Sequence, residues 1–157
     1  MINEHNKLVK PQDKVYYLGD VCFGSAVRDG LLYRLTGHKR LVLGNHDNIK
    51  NADFAKHFDK IEVWRIFKDW GFVCTHVPLR DDQFRDSAGF NIHGHLHQNK
   101  INSNFHACVS VEQTDFKPLH LDEVLQIIKD TKQGKTPPPN ITSKPTNYID
   151  KGSDGKR

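Results

Sequence analysis

Cysteine is scarce in this 157-residue chain: three in all, Cys22, Cys74 and Cys108, widely spaced and without a Cys-x-x-Cys pair. An odd, scattered set argues against a disulfide framework and fits a reducing cytosol. Long apolar runs are missing too. Nothing approaches the roughly 20 consecutive apolar residues of a membrane span, and the N-terminus carries no signal-peptide pattern. The expectation is a cytoplasmic protein with no membrane partner, in which Asn140-Ile141-Thr142 is a glycosylation sequon in form only. Hydrophobic residues make up just 36%, enough for one modest core with part of the chain left unfolded. Charge of either sign is not in large excess. A net +4 leans weakly towards anionic partners, a phosphate ester or a nucleic acid.

What is present is concentrated at the ends of apolar runs. Leu41-Val42-Leu43 stops at Gly44, and Asn45-His46-Asp47 follow at once. This is the pattern of a buried strand delivering chemistry at its carboxyl end, where ligands bind in open α/β sheets. Val15-Tyr16-Tyr17-Leu18-Gly19 ends in Asp20, and Phe72-Val73-Cys74-Thr75 in His76. The run from Phe90 to Ile92 leads into His93-Gly94-His95-Leu96-His97. Four runs, each tipped with a metal-ligand type, are hard to ascribe to chance.

Along the chain, residues 1–10 read as the last turns of a helix, and Pro11-Gln12-Asp13 breaks it before a strand opens at Lys14. Val27, Leu31, Leu32 and Leu35 recur at helical spacing up to Gly37, which reads as a C-terminal cap. A strand over 40–43 completes a strand–helix–strand unit, which favours parallel pairing. A short helix is expected over 52–58 and a strand over 61–67. A turn at 68–71 leads to the returning strand 72–75. Trp64 and Trp70 read as packing of that hairpin. The charged loop 79–89 reads as a solvated face from which Arg80 or Arg85 could take phosphate oxygens. Strands over 90–93 and 107–112 precede a last helix with Leu121, Val124, Leu125 and Ile128 on one face, ending near Gly134. Residues 135–157, with Pro137-Pro138-Pro139 and no periodicity, read as a disordered tail, leaving 1–134 as the domain.

Asp20 and Asn45 offer oxygen, and His76, His95 and His97 offer nitrogen. Mixed donors of this kind suit borderline divalent ions such as manganese, iron or zinc. His95 and His97 are two apart, so on an extended segment both project the same way. His93 precedes the bend expected at Gly94 and is set aside as a ligand. The unperturbed pKa of a histidine lies near neutrality, which suits His46 to serve a leaving oxygen while a metal holds substrate and activates water. His5, His38, His57, His106 and His120 read as surface or loop histidines, and Cys22 as a small buried hydrophobe.

On these residues the chain resembles the calcineurin-like metallophosphoesterases. The motifs shared are Gly19-Asp20, Gly44-Asn45-His46-Asp47, the lone His76 and Gly94-His95-Leu96-His97. The resemblance covers roughly residues 13–125 and implies an α/β fold, a mixed two-sheet β-sandwich flanked by helices. It implies that Asp20 bridges two metals, one also held by Asn45, His76 and His95, the other by His97. His46 would contact the scissile phosphate and Asp47 would orient it. The cofactor implied is one or two divalent ions, manganese first, with iron, zinc or nickel as alternatives.

One family block, Asp-x-His, occurs nowhere in the chain. Since it normally sits on a strand well upstream of Gly-Asp, the expectation is an N-terminally truncated member lacking its first strand and two ligands of one metal. Such a chain would be a phosphoesterase with impaired activity. The alternatives are a degenerate member serving as a binding or scaffold module, one that needs a complementing N-terminal fragment, and a nucleic-acid binder using Lys144, Lys151, Lys156 and Arg157.

Overall fold

In the computed structural model, residues 1–22, 24, 30–84 and 88–135 are described. Val27, Arg85, Asp86 and the tail beyond 135 lie outside them. Seven strands form two sheets. The first holds β1 (Lys14–Tyr17), β2 (His38–Val42) and β3 (Lys60–Glu62) in that order, all parallel. The second runs β4 (Trp64–Phe67), β5 (Phe72–Thr75), β6 (Asn91–His93) and β7 (His106–Cys108). Here β4 and β5 pair antiparallel, and β5, β6 and β7 pair in parallel. Three α-helices flank the sheets among the described residues: α1 (Ile2–Leu8), α2 (Ala52–Ala55) and α3 (Leu121–Lys132).

The single strand expected over 61–67 is two strands in two sheets. Through Glu62 the chain pairs with β2, and from Trp64 it pairs with β5. Val63, 65% exposed, is the crossover. The alternation that marked a strand is real, but a period of two says nothing of which neighbour a segment chooses. Trp64 is itself 60% exposed and packs less than the sequence implies. The helix expected up to Leu35 is, where described, a 3₁₀ turn at Leu31–Arg34. Gly37 is needed for a different reason than capping a helix. Its φ is +95°, and a Cβ there would lie 2.7 Å from Val9 Cγ1 and 3.1 Å from Asp13 O, so the glycine admits the α1–β1 connection. The helix expected over 52–58 shortens to α2, with Asn51 Oδ1 capping it by accepting from Asp53 N at 2.9 Å.

Two apolar clusters meet across β2. Leu41 packs with Leu32, Phe54 and Phe58 on one face. Val42, the next residue, joins Phe72, Cys74, Phe90, Ile92, Ala107 and Ile128. Successive side chains of a strand point to opposite faces, so this one strand is the wall between both cores. Helix α3 closes the second core, with Leu121, Val124 and Leu125 packed against it. It starts where His120 N donates to Glu123 Oε2 at 2.7 Å. Burial pushes the Cys74 thiol up to about 12, and no cysteine pairs with another. No helix among the described residues is long and apolar enough to cross a membrane.

Candidate metal centre

The carboxyl ends of β1 and β2 from one sheet, and of β5 and β6 from the other, point their following loops at one place. Two glycines let the loops touch. Gly19 has φ +83°, and a Cβ on it would fall on His76 Nδ1 and come within 2.6 Å of Gly44 Cα. A Cβ on Gly44 would in turn fall on Asp20 and lie 2.9 Å from Gly19 Cα. Neither loop accommodates a side chain where they cross. Asp47 then clasps them: its carboxylate accepts from Gly44 N at 2.8 Å, Asp20 N at 3.0 Å and Val21 N at 3.1 Å. Three otherwise orphaned backbone donors are satisfied by one charged group. Gly94 seats the β6 loop the same way: a Cβ there would lie 2.8 Å from Leu18 O, and its N–H donates to His76 O at 3.0 Å.

Backbone strain collects here. Asp20 (φ +53°), His95 (φ +65°) and His97 (φ +52°) all adopt the left-handed region, which costs a non-glycine residue roughly 1–2 kcal/mol. Such conformations persist where surrounding contacts over-determine them, and they cluster at functional sites.

His76, only 4% exposed, is the centre of the arrangement. Its Nδ1 lies 2.7 Å from Leu18 O. A carbonyl can only accept, so Nδ1 carries the proton and, in the neutral ring, Nε2 carries a lone pair. That lone pair faces Asn45 Oδ1 at 2.9 Å, Asp20 Oδ2 at 3.2 Å and His95 Nδ1 at 3.2 Å. Asp20, His76 and His95 present ligand atoms all within 4.8 Å of one another, and Asn45 adds a fourth donor. With His95 in its Nε2–H tautomer all four atoms present lone pairs, which repel unless something positive lies among them. The donor set, one carboxylate, one amide oxygen and two imidazoles, fits a borderline divalent cation. His76 is buried and Asp20 half-buried, while Asn45 and His95 are exposed, so the cluster has a closed back and an open front.

Other residues singled out in the sequence sit around this core. His46 follows Asn45 on the open side, and its backbone N–H donates to Asp20 Oδ1 at 2.8 Å. The Asp20 carboxylate therefore faces the cluster with one oxygen and holds the loop with the other. His97 is not within the cluster; its Nδ1 lies 2.7 Å from Glu112 Oε1. His93 is buried with Nδ1 donating to Gly94 O at 2.9 Å, and burial holds its pKa below the usual imidazole range. Arg80 is exposed and pairs with Asp82 at 2.8 Å.

Two histidines read as surface groups are buried. His5 donates from Nε2 to Thr36 O at 2.9 Å and stacks on Tyr17, docking α1. His106 pairs with Asp81 at 2.7 Å, fastening the loop after His76 to β7. Cys22 is half-buried, and burial, then the Asp47 charge, raises its thiol pKa. Glu112 was not singled out by the sequence. Its partner lies 15 residues away, and no local pattern marks the contact.

No family model matches the chain. Among solved crystal structures, the chain is similar to a protein of unknown function, AQ665 from Aquifex aeolicus. The two share 27% identity and a TM-score of 0.64, covering 81% of this chain and 82% of that one. Over 148 residues the chain is 30% identical to the uncharacterized protein MJ1445 of Methanocaldococcus jannaschii, spanning 87% of this chain and 77% of the archaeal one. At that identity and coverage, the chain belongs to the same family as the archaeal protein.

Proposed function

We propose that this protein is a divalent-cation-dependent phosphoesterase of the calcineurin-like kind, with residues 1–134 as its catalytic domain. The observation that carries the reading is the convergence of Asp20 Oδ2, Asn45 Oδ1 and His95 Nδ1 on His76 Nε2. These four donors would hold one cation. A second would take Asp20 together with Nε2 of His97. Manganese is the first candidate for both, with iron, zinc or nickel next.

A cation held there would neutralise phosphoryl oxygens and lower the pKa of a bound water towards neutrality. The chain's own residues do the rest. Only one of the four donors is anionic, so a divalent ion keeps net positive charge to attract an anionic ester. His46, on the loop that carries Asn45, donates a proton to the departing oxygen. Asp47 keeps that loop against the Asp20 loop, so donor and ligands move as one body. The net +4 charge favours phosphate esters, nucleic acid among them.

The test is hydrolysis of bis(p-nitrophenyl) phosphate by the purified chain with manganese added stepwise and Asp20→Asn as the blank. Manganese-dependent turnover absent from the blank is expected. His46→Ala should lower kcat by about 10²- to 10⁴-fold, the usual worth of a general acid, while manganese still binds. No turnover above the blank, in folded protein that binds manganese, would favour the binding-module reading.

A further inference from the structure

His97 is held from three sides by residues that follow in β7 and just beyond it. Its Nδ1 lies 2.7 Å from Glu112 Oε1. Its carbonyl accepts from Gln113 Nε2 at 2.9 Å, and Cys108 Sγ lies 3.8 Å from the same oxygen. Glu112 and Gln113 share one 3₁₀ turn, Val111–Gln113, so a single short element fixes both the backbone and the ring. This explains how His97 keeps a left-handed φ of +52°: the conformation is over-determined by its neighbours.

The contact also decides the tautomer. An ionised carboxylate has only lone pairs to offer, so the proton between the two groups belongs to Nδ1. In the neutral ring, Nε2 then carries the lone pair and is the atom left for ligation. A carboxylate behind an imidazole orients the ring and makes it a stronger base towards a metal. The other Glu112 oxygen, Oε2, is shut away from solvent with no partner. With Oε2 unpartnered, the one side-chain contact that fixes the Glu112 carboxylate is Oε1 on His97.

We propose that Glu112 is a positioning residue: by holding Nδ1–H of His97 it sets Nε2 as a cation-ligating atom. The proposal rests on the metal-dependent reading above and adds to it a residue fifteen positions from the histidine it controls. Glu112 itself touches neither cation nor substrate.

The experiment uses the full chain as wild type, Glu112→Ala, Glu112→Gln and His97→Ala. Imidazole nitrogen–proton correlation spectra of the metal-free protein report the tautomer, and calorimetric titration with manganese reports affinity. The Nδ1–H tautomer of His97 is expected in wild type and in Glu112→Gln, whose amide oxygen still accepts. Glu112→Ala should give a mixture of tautomers. Wild type should bind manganese in two classes. Glu112→Ala and His97→Ala should each weaken one class by about 10- to 100-fold and leave the other unchanged, with Glu112→Gln recovering most of the loss. A Glu112→Ala protein with wild-type tautomer and affinities would overturn the proposal, and so would equal weakening of both classes, which marks mere structural damage. One class of binding in wild type would overturn it while leaving the metal-dependent reading intact. No binding at all would remove that reading too.

Discussion

Asp20→Asn is expected to weaken manganese binding by at least about 100-fold, or roughly 2.8 kcal/mol at about 1.4 kcal/mol per decade, in a protein that remains folded. The substitution replaces one oxygen by an NH₂ group and changes almost no volume. Both Asp20 oxygens now accept or face lone pairs: Oδ1 takes the His46 N–H at 2.8 Å, and Oδ2 faces His76 Nε2 at 3.2 Å. An amide has one oxygen and one NH₂. With the oxygen kept on His46, the NH₂ points into the cluster and fills the place of a cation with its own hydrogens. With the amide turned over, two donors meet at the His46 loop. The first orientation suits the metal-free protein, since an N–H there satisfies the facing lone pairs, so thermal stability without metal should hold or rise. Titration calorimetry and melting of both proteins, with and without manganese, measure the two effects. Equal manganese affinity in Asp20→Asn and wild type would mean the cluster is not where the ion binds.

Gly19→Ala is expected to be strongly destabilising for a change of one methyl group. Two costs add. Alanine at φ +83° is strained by roughly 1–2 kcal/mol, and its Cβ would lie on His76 Nδ1 and 2.6 Å from Gly44 Cα. Backbone cannot step aside there, because Asp47 fastens both loops. Overpacking of this kind costs about 1–3 kcal/mol, for a total of about 3 kcal/mol and a Tm lowered by about 6–12 °C in a chain of this size. Gly71→Ala is the control. Its φ is +68°, but nothing lies within 4 Å of the added carbon, so only the strain remains and the Tm should fall by a few degrees. Similar losses in the two variants would show that the loop crossing is looser than its geometry. Gly19→Ala should also lose manganese binding, since the relief available to it is displacement of His76.

How the sequence maps to this site depends on the range of each interaction. Strand ends followed by glycine and a ligand were legible, because burial and the close approach of loops act on neighbouring residues. Leu41-Val42-Leu43-Gly44-Asn45 and Phe72 to His76 can be read without knowing their partners. The split of 61–67 was not legible. Lys60–Glu62 and Trp64–Phe67 choose different sheets, a decision made by β2 and β5 and not by local alternation. Asp47 shows a second kind of limit. The sequence places it beside His46, yet its carboxylate binds the backbone of Gly44, Asp20 and Val21, two of them more than 20 positions away. His5 and His106 went inside because Thr36 O and Asp81 each give Nε2 of the ring a partner. A histidine's burial follows from its partner, which composition does not reveal.

The reading of this chain as a metal enzyme stands on one place in the fold, and diffraction can look there directly. Crystals grown with manganese, measured on both sides of the manganese absorption edge, should show an anomalous peak within ligand distance of Asp20 Oδ2, Asn45 Oδ1, His76 Nε2 and His95 Nδ1. Manganese found only elsewhere, with those four side chains left turned on one another, would contradict the account.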